Sequence, residues 1–340
     1  MSSARLAAIA ALSSFPPRPG PACCNVRSDG SVALALPAPL RVNAASARPG
    51  RRWMVAWLLL APSLVLLALF TYGPILRVLH ESLYGSPLPG QAAPFLGLDN
   101  YARLLGDPAF RNAAWNTALY AFWTILPGMG LGLVLALALE ATSRVSSVLR
   151  AVFFFPTLVP LVAAASIFVF LFLPGIGLLD RYLALIGIRG PNWLGDPDVA
   201  LYAIIGLTVW KNAGYYMLFF LAGLQQVQQD LYDAATIDGA GVLARLRHVT
   251  LPALRPTMAF VFVIALVNVL VAVDHVFVLT KGGPSGTTDL ILFFIYRQAH
   301  ENHDLGFAAA ATVVSVAVLL LISGLGIETL ERGLRKEEGA

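Results

Sequence analysis

The sequence predicts an all-α integral membrane protein, and three observations carry that prediction. Hydrophobic residues make up 58% of the chain and charged residues 12%, with a mean hydropathy of +0.74. A soluble domain does not have that balance. The apolar residues gather into stretches at 53–72, 115–139, 151–173, 201–224, 253–279 and 305–325, each near the roughly 20 residues that cross a bilayer core. Between the fourth and fifth stretches stands an ordered polar segment, residues 230–256. The formal net charge of +4 sits near span ends and in the N-terminal tail. Orientation in a membrane explains it better than nucleic acid does.

Taken in order, residues 1–50 are rich in Ala, Pro, Ser and Arg, with Asp29 as their one acidic residue. That composition predicts a disordered tail or an over-extended start ahead of a membrane domain over 51–335. The apolar run from Leu6 to Phe15 is weak for a signal peptide and leads to no clean cleavage box. Cys23 and Cys24 are adjacent and cannot staple distant parts of a fold. Six spans then follow, and Gly and Pro inside them (Pro127, Pro156, Pro160, Gly206, Gly214) are tolerated where neighbouring helices cover the freed backbone groups. A cytoplasmic N-terminus places Arg51, Arg52, Arg144, Arg150, Arg245, Arg247 and Arg255 inside. It leaves fewer basic residues, among them Arg77, Arg103, Arg181 and Arg189, outside. An even number of spans returns the C-terminus to the cytoplasm, and segment 230–256 lies on that same side.

That segment has a patterned break. Asp230 stands at an N-cap position and Asp233 follows in the first turn, where acidic groups suit the helix dipole. Leu231, Ala234 and Ala235 fall at i, i+3 and i+4, one stripe with a small-residue surface. Asp238-Gly239 then supplies a stop, because glycine enters a left-handed turn without steric cost. A second, basic helix is predicted over 242–248, and Pro252 pre-sets the next helical start. Small residues flanked by charge on a rigid break make a docking knob, although any helix–turn–helix between two spans has this outline.

The residue pattern resembles the "EAA" loop of bacterial binding-protein-dependent ABC importer permeases. It runs Asp233-Ala234-Ala235, three residues, Gly239, nine residues, Val249, one residue, Leu251-Pro252. This chain has aspartate where that family usually has glutamate. The resemblance extends over roughly 53–330. Phe95-Leu96-Gly97-Leu98-Asp99-Asn100-Tyr101 resembles the family's segment before the second span, which Asn116-Thr117 opens. Trp210-Lys211-Asn212-Ala213-Gly214 and Ala222-Gly223-Leu224-Gln225 match the approach to the loop. Thr280-Lys281-Gly282-Gly283-Pro284 resembles the outer turn of the carbohydrate-uptake branch, that of maltose and glycerol-3-phosphate permeases. The resemblance implies a cytoplasmic coupling helix pair between the fourth and fifth spans, with Asp233, Ala234, Ala235, Asp238, Gly239, Leu251 and Pro252 meeting an ATPase. It implies three partners besides the bilayer: ABC ATPase subunits, a second homologous permease and an extracytoplasmic solute-binding protein.

No catalytic constellation, metal pattern or cofactor motif emerges. A phosphate-cradling G-x-x-x-x-G-K-[ST] loop is absent, so the permease reading requires a separate ATPase. The run His300-Glu301-Asn302-His303-Asp304 has the spacing of a solvated loop face more than of a metal site. Polar residues inside membranes are functional candidates. Lys211, Asn212, Tyr215 and Tyr216 lie in the fourth span, and Asn268, Asp274 and His275 in the fifth. Asn268 and His275, seven apart, are expected on one helix face. Amides, a carboxylate and aromatic faces suit a sugar or polyol. The competing readings are interhelical hydrogen bonding for Asn268, snorkelling or pairing for Lys211 and interfacial anchoring for the tyrosines. Two functional alternatives stay open: a glycerol-3-phosphate permease, and a stand-alone proton-coupled transporter relaying through Asp274 and His275.

Overall fold

The computed structural model describes residues 49–87, 92–141 and 143–338. The expected tail over 1–50, with Cys23 and Cys24, therefore lies almost wholly outside the described residues. Contacts divide the chain into two units, residues 1–63 and 64–340. The regular structure of the described residues is all helix, with no β-strand among them and only one isolated bridge between Tyr84 and Phe95. The described part of the first unit is helix from Pro49 onward, with Trp53 and Trp57 exposed.

Along the sequence the helices are α1 (Pro49–Leu67), α2 (Gly73–Glu81), α3 (Asp99–Gly106), α4 (Pro108–Ala138) and α5 (Arg144–Leu158). Then come α6 (Leu161–Leu171), α7 (Leu178–Leu185), α8 (Ala200–Leu224), α9 (Gln229–Ile237) and α10 (Val242–Arg245). The last are α11 (Leu251–Ala253), α12 (Arg255–Val271), α13 (Asp274–Leu279), α14 (Ile291–Tyr296) and α15 (Leu305–Glu338). A π-turn over Ala68–Tyr72 links α1 to α2, where Pro74 has no N–H to continue the regular ladder. Asp107 caps α4, accepting from the Ala109 and Phe110 amides at 2.6 and 3.2 Å, with Pro108 at the first helical position. That cap starts the helix seven residues before the expected span at Trp115. At the other end of α4, the Arg150 guanidinium donates to the carbonyls of Leu139, Glu140 and Ala141, a cation where the helix dipole favours one.

Two expected spans are broken. The stretch 151–173 divides into α5 and α6, bent by 97°. Pro160 cannot continue the ladder, and Val159 before it is extended with ψ 129°, as sterics against a following proline require. The stretch 253–279 divides into α12 and α13 at Ala272–Val273, where Ala272 has ψ 108°. β-branched Val269, Val271 and Val273 weaken the helix there, and Asp274 falls in the first turn of α13, the turn an acidic group favours.

By length and apolarity four helical stretches can cross a membrane: Trp57–Glu81, Pro108–Ala138, Arg255–Leu279 and Leu305–Gly324. The bent α5–α6 pair makes five if it counts as one. The expected fourth span is α8, 25 residues long, in which Lys211 and Asn212 dilute the apolar run. Its packing explains why it tolerates them. Fifteen of its residues are buried, so it faces protein and has little need of a lipid-compatible surface. It lies against α4 and α5 at close range. A methyl at Gly132 would stand 2.8 Å from the Tyr216 Cβ, and one at Gly214 would collide with the Phe153 carbonyl oxygen. The main core is centred on this helix, with Tyr120, Ile204, Leu207, Met217, Phe220 and Val261 buried.

Candidate functional site

Residues 228–256 fold as two helical pieces around a tight turn. Helix α9 has Gln228 as its N-cap, without a side-chain cap bond, and Asp230 inside its first turn. The expected Asp230 cap is thus displaced by two residues, because the chain already turns helical at Gln229. The stop is where glycine puts it. Gly239 has φ +75°, the Ala240 amide donates to the Ala235 carbonyl at 2.9 Å and the Gly239 amide to the Thr236 carbonyl at 3.1 Å. This pair of bonds closes a helix end in the left-handed manner. The second piece is longer than expected: α10 continues through a π-turn, Leu246–Thr250, into α11 with Leu251 and Pro252. Tyr232 and Thr250 join the two pieces through their hydroxyls at 3.0 Å.

Asp233, Ala234, Asp238 and Gly239 are exposed, while Ala235, Leu251 and Pro252 are half-buried. Sequence reasoning missed their apolar companions. Ile237, Val242 and Leu243 are exposed on the same break, at 86%, 76% and 76%. Large apolar side chains beside a helix-stopping glycine in a polar segment were the available signal. A cleft of about 410 Å³ lies beneath, lined by Leu137 and Glu140 near the end of α4 and by Gln229, Tyr232, Arg245 and Thr250. The break therefore sits directly against the end of the longest fully described membrane-crossing helix.

A polar cluster occupies the bundle interior. On α4, Tyr120 and Thr124 are buried four residues apart, and on α8, Thr208, Asn212 and Tyr216 recur at the same spacing. Tyr120 and Thr208 share a hydroxyl–hydroxyl bond of 2.9 Å. Among the described residues the Tyr216 hydroxyl, near Asn212 and Asn268, has no hydrogen-bond partner, nor has the Thr124 hydroxyl. His275 is fully buried and stacked on Tyr120 at 5.5 Å, with both ring nitrogens unpartnered. Sequence reasoning singles out Asn212 and Tyr216, four apart, but misses Thr208, Tyr120 and Thr124.

The remaining expected pathway residues are dispersed. Asn268 ends up before the α12–α13 break and His275 after it, so no continuous helix face joins them. Asp274 is exposed where His275 is buried, so the two chain neighbours lie in different environments. Tyr215 is half-buried and packs on Phe219 at 4.9 Å. The Lys211 ammonium donates to the carbonyls of Val159 at 2.7 Å, Thr157 at 3.0 Å and Pro156 at 3.4 Å. The Pro156 carbonyl also accepts the Val159 amide at 3.3 Å; all three carbonyls lie where α5 stops before Pro160, and a cation at a helix C-terminus suits them.

The motifs around the start of α4, at the end away from the Gly239 break, are anchors. Asn100 is buried and donates to the Ser82 and Tyr84 carbonyls at 3.0 and 2.9 Å, tying α3 to the end of α2. Asn116 donates to the carbonyls of Gly286 and Asp289, and Thr117 accepts the Ile291 amide at 2.8 Å. Together they hold the turn 280–289 on α4. Arg297 pairs with the buried Asp289 at 2.5 Å. Burial pushes the Asp289 carboxyl above its ordinary value, against the pull of Arg297. His300 stacks on Tyr296, and Asp304 caps α15 through the Phe307 amide while pairing with Arg103. Among the described residues no group of three His, Cys, Asp or Glu side chains could hold a metal.

The family model described as the binding-protein-dependent transport system inner membrane component matches residues 128–336. The chain is 32% identical to the sulfoquinovosyl glycerol transport system permease protein SmoG of Agrobacterium fabrum, over 80% of this chain and 89% of that one. It is 31% identical to the sn-glycerol-3-phosphate transport system permease protein UgpA of Escherichia coli, over 84% and 96%. Its fold is similar to that of a chain in a bacterial ABC transporter involved in the import of the acidic polysaccharide alginate. There the TM-score is 0.72 and the identity 25%, covering 83% of this chain and 96% of that one. With the match spanning the α8 side of the polar interior, the break at Gly239 and the last membrane helices, this chain belongs to the family of binding-protein-dependent transport system inner membrane components.

Proposed function

We propose that this chain is the membrane-spanning subunit of an ATP-driven importer of a sugar or a related polyol, and that it does no chemistry itself. The observation that carries the reading is the rigid break around Gly239. It projects Asp233, Asp238, Ile237, Val242 and Leu243 away from the bundle and rests on the end of α4. In this reading six spans cross the bilayer, with α8 the fourth and the bent α5–α6 pair the third. Both termini and the break then face the cytoplasm, where ATPase subunits engage Asp233, Ala234, Ala235, Asp238, Gly239, Leu251 and Pro252. A soluble binding protein delivers solute to the outer loops, and a second, similar permease completes the pathway. Coupling is a differential interaction: the nucleotide-bound ATPase favours one arrangement of the bundle over the other.

Asn212, Tyr215, Tyr216, Asn268 and His275 are proposed to line or support the pathway. Amide and hydroxyl groups together with aromatic faces suit an uncharged, hydroxyl-rich solute. The capping of the α5 carbonyls by Lys211 supports a neutral solute over a phosphorylated one, since its ammonium is already shared among three acceptors. Names of relatives support the wider carbohydrate and polyol class, with an acidic polysaccharide and sn-glycerol-3-phosphate among their solutes, so the choice of a neutral solute rests on Lys211 alone. The separation of exposed Asp274 from buried His275 gives a proton relay no support.

The test is co-purification of the assembled complex from detergent. Asp233→Lys should release the ATPase while the chain still inserts and pairs with its partner permease. Retention of the ATPase by that variant would remove Asp233 from the contact. Purification of the wild-type chain alone, with solute uptake driven by a proton gradient, would overturn the importer reading.

A further inference from the structure

The loop between Phe172 and Val199 holds a helix turned the wrong way round for water. In α7 (Leu178–Leu185), Leu178, Tyr182 and Leu185 recur at i, i+4 and i+7, one stripe of the helix. With Ile176, Ile186 and Ile188 beside them, they are 52 to 81% exposed. The helix's acidic residue points the other way. Asp180 is buried, accepting from the Gly175 amide at 2.5 Å and from Trp193 Nε1 at 2.7 Å, and Leu179 and Trp193 pack on the main core. A helix on a solvated loop shows the reverse arrangement, its acid outward and its aliphatic stripe inward. The stripe is also flanked by cations. Arg181 and Arg189 are exposed and form no ion pair among the described residues.

We propose that α7 is an interfacial helix lying in the outer leaflet of the bilayer, its aliphatic stripe in the acyl boundary and Arg181 and Arg189 on anionic lipid phosphates. This rests on the outward placement of the loop proposed above. Two features select lipid over a protein occupant. The stripe continues the apolar surface of α6, whose Val162, Ile167 and Phe170 are exposed in a helix pair apolar enough to lie within the membrane. Its flanks are unpaired guanidinium groups beside an amphipathic Tyr182, the composition that settles at a headgroup boundary. A binding protein that must leave in every cycle would return so apolar a face to water each time, whereas transient interfaces are more polar. In this position α7 fixes the outer end of the bent α5–α6 pair relative to the membrane plane.

The test uses the assembled transporter in nanodiscs, with Cys23→Ser and Cys24→Ser removing the native thiols and spin labels placed through Leu185→Cys, Ile186→Cys and Asp198→Cys. Labels at 185 and 186 should collide with oxygen far more than with a water-soluble nickel chelate, and the label at 198 should do the reverse. Adding Arg181→Gln and Arg189→Gln should shift the 185 label toward the chelate in phosphatidylglycerol discs, on the order of fivefold per cation, and leave phosphatidylcholine discs unchanged. Nickel access at both 185 and 186 would mean solvent, and exclusion of both reagents would mean a protein cover. Immobilisation of those labels only on adding the binding protein would make the stripe its docking surface. Each of these three results overturns the proposal. Reaction of position 198 with an impermeant maleimide only from the ATPase side would instead refute the outward placement of the loop, and so separates the two readings.

Discussion

At the scale of single residues, a few side chains decide what the backbone can do. Gly239, at φ +75°, is the point where α9 can stop without strain, since an L-residue there costs roughly 1–2 kcal/mol and a β-branched one more. Gly239→Val should therefore unseat the two-bond closure at Ala235 and Thr236. Uptake should fall at least tenfold while membrane insertion and partner assembly persist; normal uptake by the variant would count against the coupling role. Lys211 makes a different case. Replacing it by Met takes the ammonium from the Thr157 and Val159 carbonyls, while Pro156 keeps the Val159 amide, at a cost of about 1–3 kcal/mol. Lys211→Met should lower the melting temperature in detergent and leave the KM for solute unchanged, with Lys211→Arg restoring most of the loss. A raised KM at unchanged stability would place the ammonium in the solute pathway instead.

At the scale of elements, what was legible in the sequence was what local chemistry specifies. Gly239 announced the end of α9, because one glycine suffices for a left-handed turn. The four helical stretches long and apolar enough to cross a membrane announced themselves by apolar length. The breaks did not. Pro160 was visible in 151–173, yet a proline inside a membrane helix signals anything from a slight kink to the observed 97° bend, and packing of α5 on α8 decides which. The break at Ala272–Val273 has neither Gly nor Pro to mark it, so the seven-residue spacing of Asn268 and His275 suggested a shared face that the chain does not keep. Tertiary partners were equally hidden. Nothing local says that Asn116 and Thr117 on α4 hold a turn some 170 residues later. That turn carries a pH signature. The folded turn binds a proton at Asp289 more tightly than the unfolded chain does, because burial raises the carboxyl above 3.8. Its contribution is then fully present below that value and lost as pH rises through the raised one. Hydrogen exchange of the 280–291 amides, corrected for intrinsic rates, should show protection falling from acid toward neutral pH. Asp289→Asn should flatten the profile, and an unchanged slope in that variant would assign it to another group.

At the scale of the whole molecule, the fold brings together two regions that the sequence keeps far apart. The break around Gly239 rests on the end of α4, and the other end of α4 holds the outer turn through Asn112, Asn116 and Thr117. One continuous 31-residue helix thus touches both the proposed ATPase contact and the turn 280–291, at about 1.5 Å per residue an element some 45 Å long. A rod of that kind permits coupling in either direction, and linkage makes the coupling reciprocal. If nucleotide bound to the ATPase tightens the hold of the complex on solute-loaded binding protein by some factor, then loaded binding protein must tighten nucleotide binding by the same factor. Titrating each ligand in the presence and absence of the other, on the purified complex in nanodiscs, measures both sides. The two factors should be equal, each on the order of 5–150-fold for a typical coupling. Thr117→Val, which removes the hydroxyl that accepts the Ile291 amide, should shrink both together without changing either ligand's affinity measured alone by as much. If the variant shrank only one, α4 would not be the shared element, and if it left both intact, the signal would run through α8 or α12 instead.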